Sequence, residues 1–92
     1  MVVAVELSLP AVLTQAQAPA VTQALLQAVQ GRSQARVVLD VSALTEFDSA
    51  ALAVILACRR AVMAAGGQLQ LAGVPARVQT LAQVYGVAEL LV

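Results

Sequence analysis

Residues 37–74 read VVLDVSALTEFDSAALAVILACRRAVMAAGGQLQLAGV. This stretch changes its hydrophobic pattern three times, and those changes decide the fold. From Arg36 to Ser42 the chain is a nearly continuous β-branched run, as expected of a strand covered on both faces. The segment ALTEFD is the loop at its carboxyl end. A helix is expected from about Ser49 to Ala65, stopped by Gly66-Gly67 acting as C-cap and turn. QLQLAGV then alternates and makes the next strand.

Working outward, Val3, Val5, Leu7 and Leu9 alternate with Ala4, Glu6 and Ser8, the period of a half-buried strand. Pro10 interrupts it, and Ala11–Leu13 continues as a second short strand or bent extension. A helix is expected from about Gln17, with Pro19 in its first turn and Gly31 at its end. Its apolar face carries Val21, Leu25, Ala28 and Val29, while Gln23, Gln27 and Gln30 face water. Pro75 opens a last helix with Val78, Leu81, Ala82 and Tyr85 as its apolar face. Gly86 breaks that helix, and VAELLV is a tail that packs as a final turn. Strands alternating with helices give an α/β domain with right-handed parallel crossovers. Its functional edge lies where the strands end, at EFDSAAL.

Ninety-two residues make one small domain over 1–92. The chain is 61% hydrophobic and 11% charged, with zero net charge. Ten glutamines and no lysine make up much of its polar surface. So apolar a chain without net charge is poorly suited to life as a free monomer, which hints at a surface covered by a partner. The five arginines form no basic cluster beyond the pair Arg59-Arg60, so nucleic acid is not an expected partner. The lone Cys58 suits a reducing compartment and reads as a small buried hydrophobe. The start MVVAVELSLP lacks a basic signal region, and Ala50–Cys58 is far shorter than the roughly 20 residues of a membrane span. A cytoplasmic location follows as the expectation, with no metal and no cofactor.

Ser49 has four possible roles. As a nucleophile it needs a base, normally histidine, and the chain contains none. As a helix N-cap it competes with Asp48, and either residue would contribute about 1 kcal/mol. As a phosphate acceptor it is well placed, since a helix N-terminus favours an anion. Phosphate there, beside Asp48 and Glu46, would make the corner strongly acidic and could eject a partner. As a partner contact it would stand at the head of an interface. In the following helix, Ala51, Val54, Ile55, Cys58 and Val62 share one face at about 100° per residue, the expected core. Leu52, Leu56 and Met63, beside Arg59, form a second apolar stripe on the helix shoulder. Docking against a partner is expected there, the alternative being cover by neighbouring helices.

Residues 37–74 resemble the central signature of STAS domains, the fold of the anti-sigma factor antagonists. The carriers of the likeness are a buried strand ending in Asp40-Val41-Ser42, then Asp48-Ser49 at a helix start, and a Gly-ended helix before the next strand. The tail TLAQVYGV (residues 80–87) is similar to the STAS subunit of the Mla phospholipid-transport system of Gram-negative bacteria. The resemblance covers nearly the whole chain. It implies a small α/β domain with a mixed sheet of about four strands flanked by helices. It also implies a non-catalytic, cytoplasmic subunit that binds and supports the ATPase of a lipid-transporting ABC complex, which maintains lipid asymmetry. Association with the inner membrane would be indirect, through that ATPase and the permease. Ser49 stands where antagonists carry their phosphorylated serine and where the Mla subunit has a threonine that matters for the ATPase contact. Asp48 matches the acid before it. Ala51 and Ala11 stand where glycines are usual, and the family's opening hairpin is expected to be shortened. The second reading is an anti-sigma factor antagonist switched by phosphorylation of Ser49.

Overall fold

The structure is a computed structural model that describes residues 4–91. Val3, the first position of the expected opening strand, and Val92 lie outside the described residues. Five strands and three helices follow in the order β1 (Ala4–Ser8), β2 (Val12–Leu13), α1 (Ala18–Val29), β3 (Arg36–Asp40), β4 (Glu46–Phe47), α2 (Ser49–Ala64), β5 (Gln68–Ala72) and α3 (Ala76–Val84). A 3-10 turn, Ala88–Leu91, closes the chain as the tail pattern suggests. The architecture is a small α/β domain of the expected class.

The strands form two ladders. β1, β3 and β5 pair in that order, with β3 central, and β2 pairs with β4. Every pairing among the described residues is parallel, so any antiparallel member of a mixed sheet is not among them. Register places Val5, Val37 and Leu69 in one row and Leu7, Leu39 and Leu71 in the next. These rows face the core with Val37 and Leu39 fully buried at its centre. α2 packs against β5 and against both α1 and α3.

The opposite sheet face departs from expectation. Its middle row is Glu6, Val38 and Gln70, of which only Val38 is even half-buried. β3 is therefore covered on one face, not two, and Arg36 and Asp40 at its ends are exposed. Central position in the sheet protects the Val38 backbone through both neighbouring strands, while its side chain meets polar neighbours instead of a helix. Tyr85 also departs: it follows the last turn of α3 and is 57% exposed, outside the core face that Val78 and Ala82 form.

The glycines at two strand ends are demanded by close approach. A Cβ on Gly67 would run into the Ala35 carbonyl oxygen, which accepts the Gln68 amide at 3.1 Å. A Cβ on Gly73, whose φ is +65°, would lie 2.7 Å from the Ser42 Cβ. The second contact locks the loop after β5 onto the turn after β3. In that turn Asp40 Oδ1 accepts from the Ser42 amide at 2.9 Å. Hydrogen bonding from Ser42, its side chain first and its amide second, holds the exposed Asp40 carboxyl below the ordinary aspartate range.

Candidate functional site at the head of α2

The β2–β4 ladder builds the site. It aligns Val12 with Glu46 and Leu13 with Phe47, and it buries Leu13 completely. The Ala11 carbonyl accepts from the Thr45 amide at 2.9 Å, the Glu46 amide at 3.0 Å and the Thr45 hydroxyl at 3.3 Å. The segment leading into EFDSAAL is thereby fixed by backbone bonds, and Asp48 leaves it in an extended conformation as the N-cap of α2.

Asp48 does two jobs with its two oxygens. Oδ1 accepts from the Ala50 amide at 2.8 Å, and Oδ2 accepts from the Gln15 amide at 3.3 Å. The first bond satisfies a free donor of the helix end, and the second ties the helix to the loop entering α1. That loop is itself closed by Gln17 Oε1, which accepts from the Thr14 hydroxyl at 2.7 Å and the Thr14 amide at 2.9 Å. The choice between the two candidate caps is thus settled for Asp48.

Ser49 is left without a structural task. It is half-buried, and its hydroxyl makes no hydrogen bond among the described residues. No buried side-chain oxygen or nitrogen there lacks a partner, so the Ser49 hydroxyl reaches solvent. A capping role confined to Asp48 has a measurable consequence. Asp48→Ala is expected to lose about 1 kcal/mol and lower Tm by about 4–8 °C, whereas Ser49→Ala shifts Tm by less than about 2 °C in the same thermal melts.

Arg77 enters the site from a distant segment. Its guanidinium lies 5.3 Å from the centroid of the Phe47 ring, within cation–π range. The first turn of α3 thus carries a cation to the residue before Asp48. The sequence reading missed Arg77. Its only signal was a position at the start of a helix after the third main strand, where the chain returns to the same sheet edge.

Along α2 the expected core face is the observed one: Ala51, Val54, Ile55, Cys58 and Val62 are each at most 2% exposed. Burial also pushes the Cys58 thiol above its ordinary pKa, which keeps it an unreactive hydrophobe. The shoulder stripe divides. Leu52 is only 4% exposed and belongs to the core, which corrects its placement on a free docking surface. α2 packs against both α1 and α3, and Leu52 belongs to the same buried cluster as Leu13, Val54 and Val78. Leu56 and Arg59 are half-buried, and Met63 is 51% exposed. Surface side chains therefore run from Ser49 along α2 through Leu56, Arg59 and Met63.

A buried strand, an Asp–Ser helix head and a Gly-ended helix are now placed in one fold, and a family model described as "Mlab, STAS domain" matches residues 2–92. The chain belongs to the STAS-domain family. The solved structure of an anti-sigma-factor antagonist (STAS) domain protein from Planctomyces limnophilus has the same fold, with a TM-score of 0.77 and 20% identity over 91% of this chain and 75% of that one. Among curated proteins none matches this chain. Within this STAS domain, Asp48-Ser49 opens α2 at the carboxyl edge of the sheet. No helix among the described residues is long and apolar enough to cross a membrane.

Proposed function

We propose that this STAS domain is a non-catalytic subunit that docks on the ATPase of a phospholipid-transporting ABC complex of the Mla type. Its docking surface is the head of α2. The observation that carries the reading is the Ser49 hydroxyl. It stands at a helix N-terminus, reaches solvent, and is relieved of capping by Asp48. A polar group so placed is available to a partner at no cost to the fold. Leu56, Arg59 and Met63 extend the contact along the helix, giving an apolar strip with an arginine at its edge, the composition of an interface centre. The family match to the Mlab description supports the choice of an ATPase partner. The domain then works in the cytoplasm and reaches the inner membrane only through the ATPase and permease.

Ser49→Glu tests the placement. It adds a carboxylate beside Asp48 and Glu46, and it should weaken binding to the Mla-type ATPase subunit by about tenfold or more, read by titration calorimetry, with Tm close to wild type. Equal affinity for wild type and Ser49→Glu would move the interface away from this corner.

The same free hydroxyl favours one second reading, an anti-sigma factor antagonist in which Ser49 accepts a phosphate. Mass spectrometry of the protein purified from its own cells separates the two. Stoichiometric phosphate on Ser49 supports the antagonist, and unmodified protein held by an ATPase supports the transporter subunit.

A further inference from the structure

A shallow groove of about 730 Å³ lies between α1 and α2. Small side chains of α2, Ala50, Ala53 and Ala57, form its floor, and Thr22, Gln23 and Leu26 of α1 form its wall. Leu26, at 38% exposure, is the large apolar side chain on this rim. Arg60 is the one charged residue lining the groove, and it stands at the far end with Gln30. Just beyond the near end, where Ala18, Pro19 and Ala50 line it, lies the acidic corner of Glu46 and Asp48. Asp48 caps α2 two residues before Ala50, and its carboxylate accepts from the Gln15 amide of the loop entering α1. From Ala50 to Arg60 the groove is about 15 Å long at the rise of an α-helix.

We propose that this face binds a second copy of the same chain, two molecules pairing with their α2 helices antiparallel across a two-fold axis beside Ala53. The argument is self-complementarity. Asp48 and Arg60 are equally far in sequence from Val54, so rotation by half a turn sets Arg60 of each copy against the acidic corner of the other. Ala50 then stands within one residue of the other copy's Ala57, and the small floor lets two helix backbones come close. Parallel pairing would oppose Arg60 to Arg60 and acid to acid, which charge repulsion disfavours. Opposite charges toward the two ends of one helix face let an antiparallel two-fold pair satisfy both contacts at once, with residue i on j and j on i. Zero net charge removes long-range repulsion between copies. A standard interface takes about 800 Å² from each partner, roughly 15% of the 5469 Å² that the chain exposes.

Sedimentation equilibrium of the purified chain alone is the test, so its outcome does not depend on the ATPase reading. Wild type is expected to rise in average mass from 9.4 kDa toward twice that value as concentration increases to about 1 mM. Ala53→Glu, a charge at the axis on an exposed position, should weaken the dimer by at least about tenfold without changing the thermal melt. Arg60→Glu should weaken it about tenfold, and adding Glu46→Arg to the same chain should recover part of the loss, because the corner then offers a cation to the new acid while Asp48 keeps its charge. A wild type that stays monomeric throughout overturns the proposal. So does a dimer indifferent to Ala53→Glu, or an Arg60→Glu loss that Glu46→Arg leaves unrepaired.

Discussion

Ile55→Glu is expected to abolish the cooperative thermal transition and the helical circular dichroism signal of this domain. Ile55 is fully buried in the middle of α2, inside the cluster formed with Leu39, Val37 and Val78. The substitution removes about 1.5–3 kcal/mol of apolar burial and places a carboxylate where no cation reaches it, at a further cost of several kcal/mol. A domain of this size holds only about 5–15 kcal/mol in total. Leu52→Glu should behave in the same way, because Leu52 is core at 4% exposure. A folded, cooperative Leu52→Glu protein would restore that residue to the docking surface.

Leu56→Glu is expected to separate binding from folding. Leu56 lies one turn beyond Leu52 but is only half-buried, so a carboxylate there can turn toward solvent. The melt should shift by less than about 8 °C, a change of about 1 kcal/mol for a domain of this length. Affinity for the ATPase subunit should fall about thirtyfold or more, since a truncated or charged interface anchor costs roughly 2 kcal/mol or more. Collapse of the fold in Leu56→Glu would place the whole shoulder in the core. Unchanged affinity with an intact fold would place the interface elsewhere on the domain.

The contrast between Leu52 and Leu56 shows what the sequence carried. The helical period located five of the six buried residues of α2, Ala51, Val54, Ile55, Cys58 and Val62, because one face of a helix must meet the sheet that precedes it. The period says nothing of what lies beside the helix, so Leu52 and Leu56 read alike although Leu52 is buried and Leu56 only half-buried. The β-branched run Val37-Val38-Leu39 has a similar ambiguity. It announces a central strand, but whether helices cover one face or both depends on where the crossovers place them. Here Glu6 and Gln70, the neighbours of Val38, were the clue, since a doubly covered sheet would not put them in one row. Asp48-Ser49 was legible as a helix head, and only the hydrogen bonds divided the roles between the two. Arg77 offered only its position at a helix start: its place over Phe47 arises from a contact between segments thirty positions apart, which no local pattern encodes.

Under the proposed function, this STAS domain acts by binding an ATPase through the head of α2. Titration of the purified Mla-type ATPase subunit from the same genome with the wild-type domain tests it most directly. A saturable complex that Ser49→Glu weakens, formed by a domain with an unchanged melt, is the expected result. No complex with that ATPase, together with stoichiometric phosphorylation of Ser49 by a kinase-type anti-sigma factor, would contradict the account.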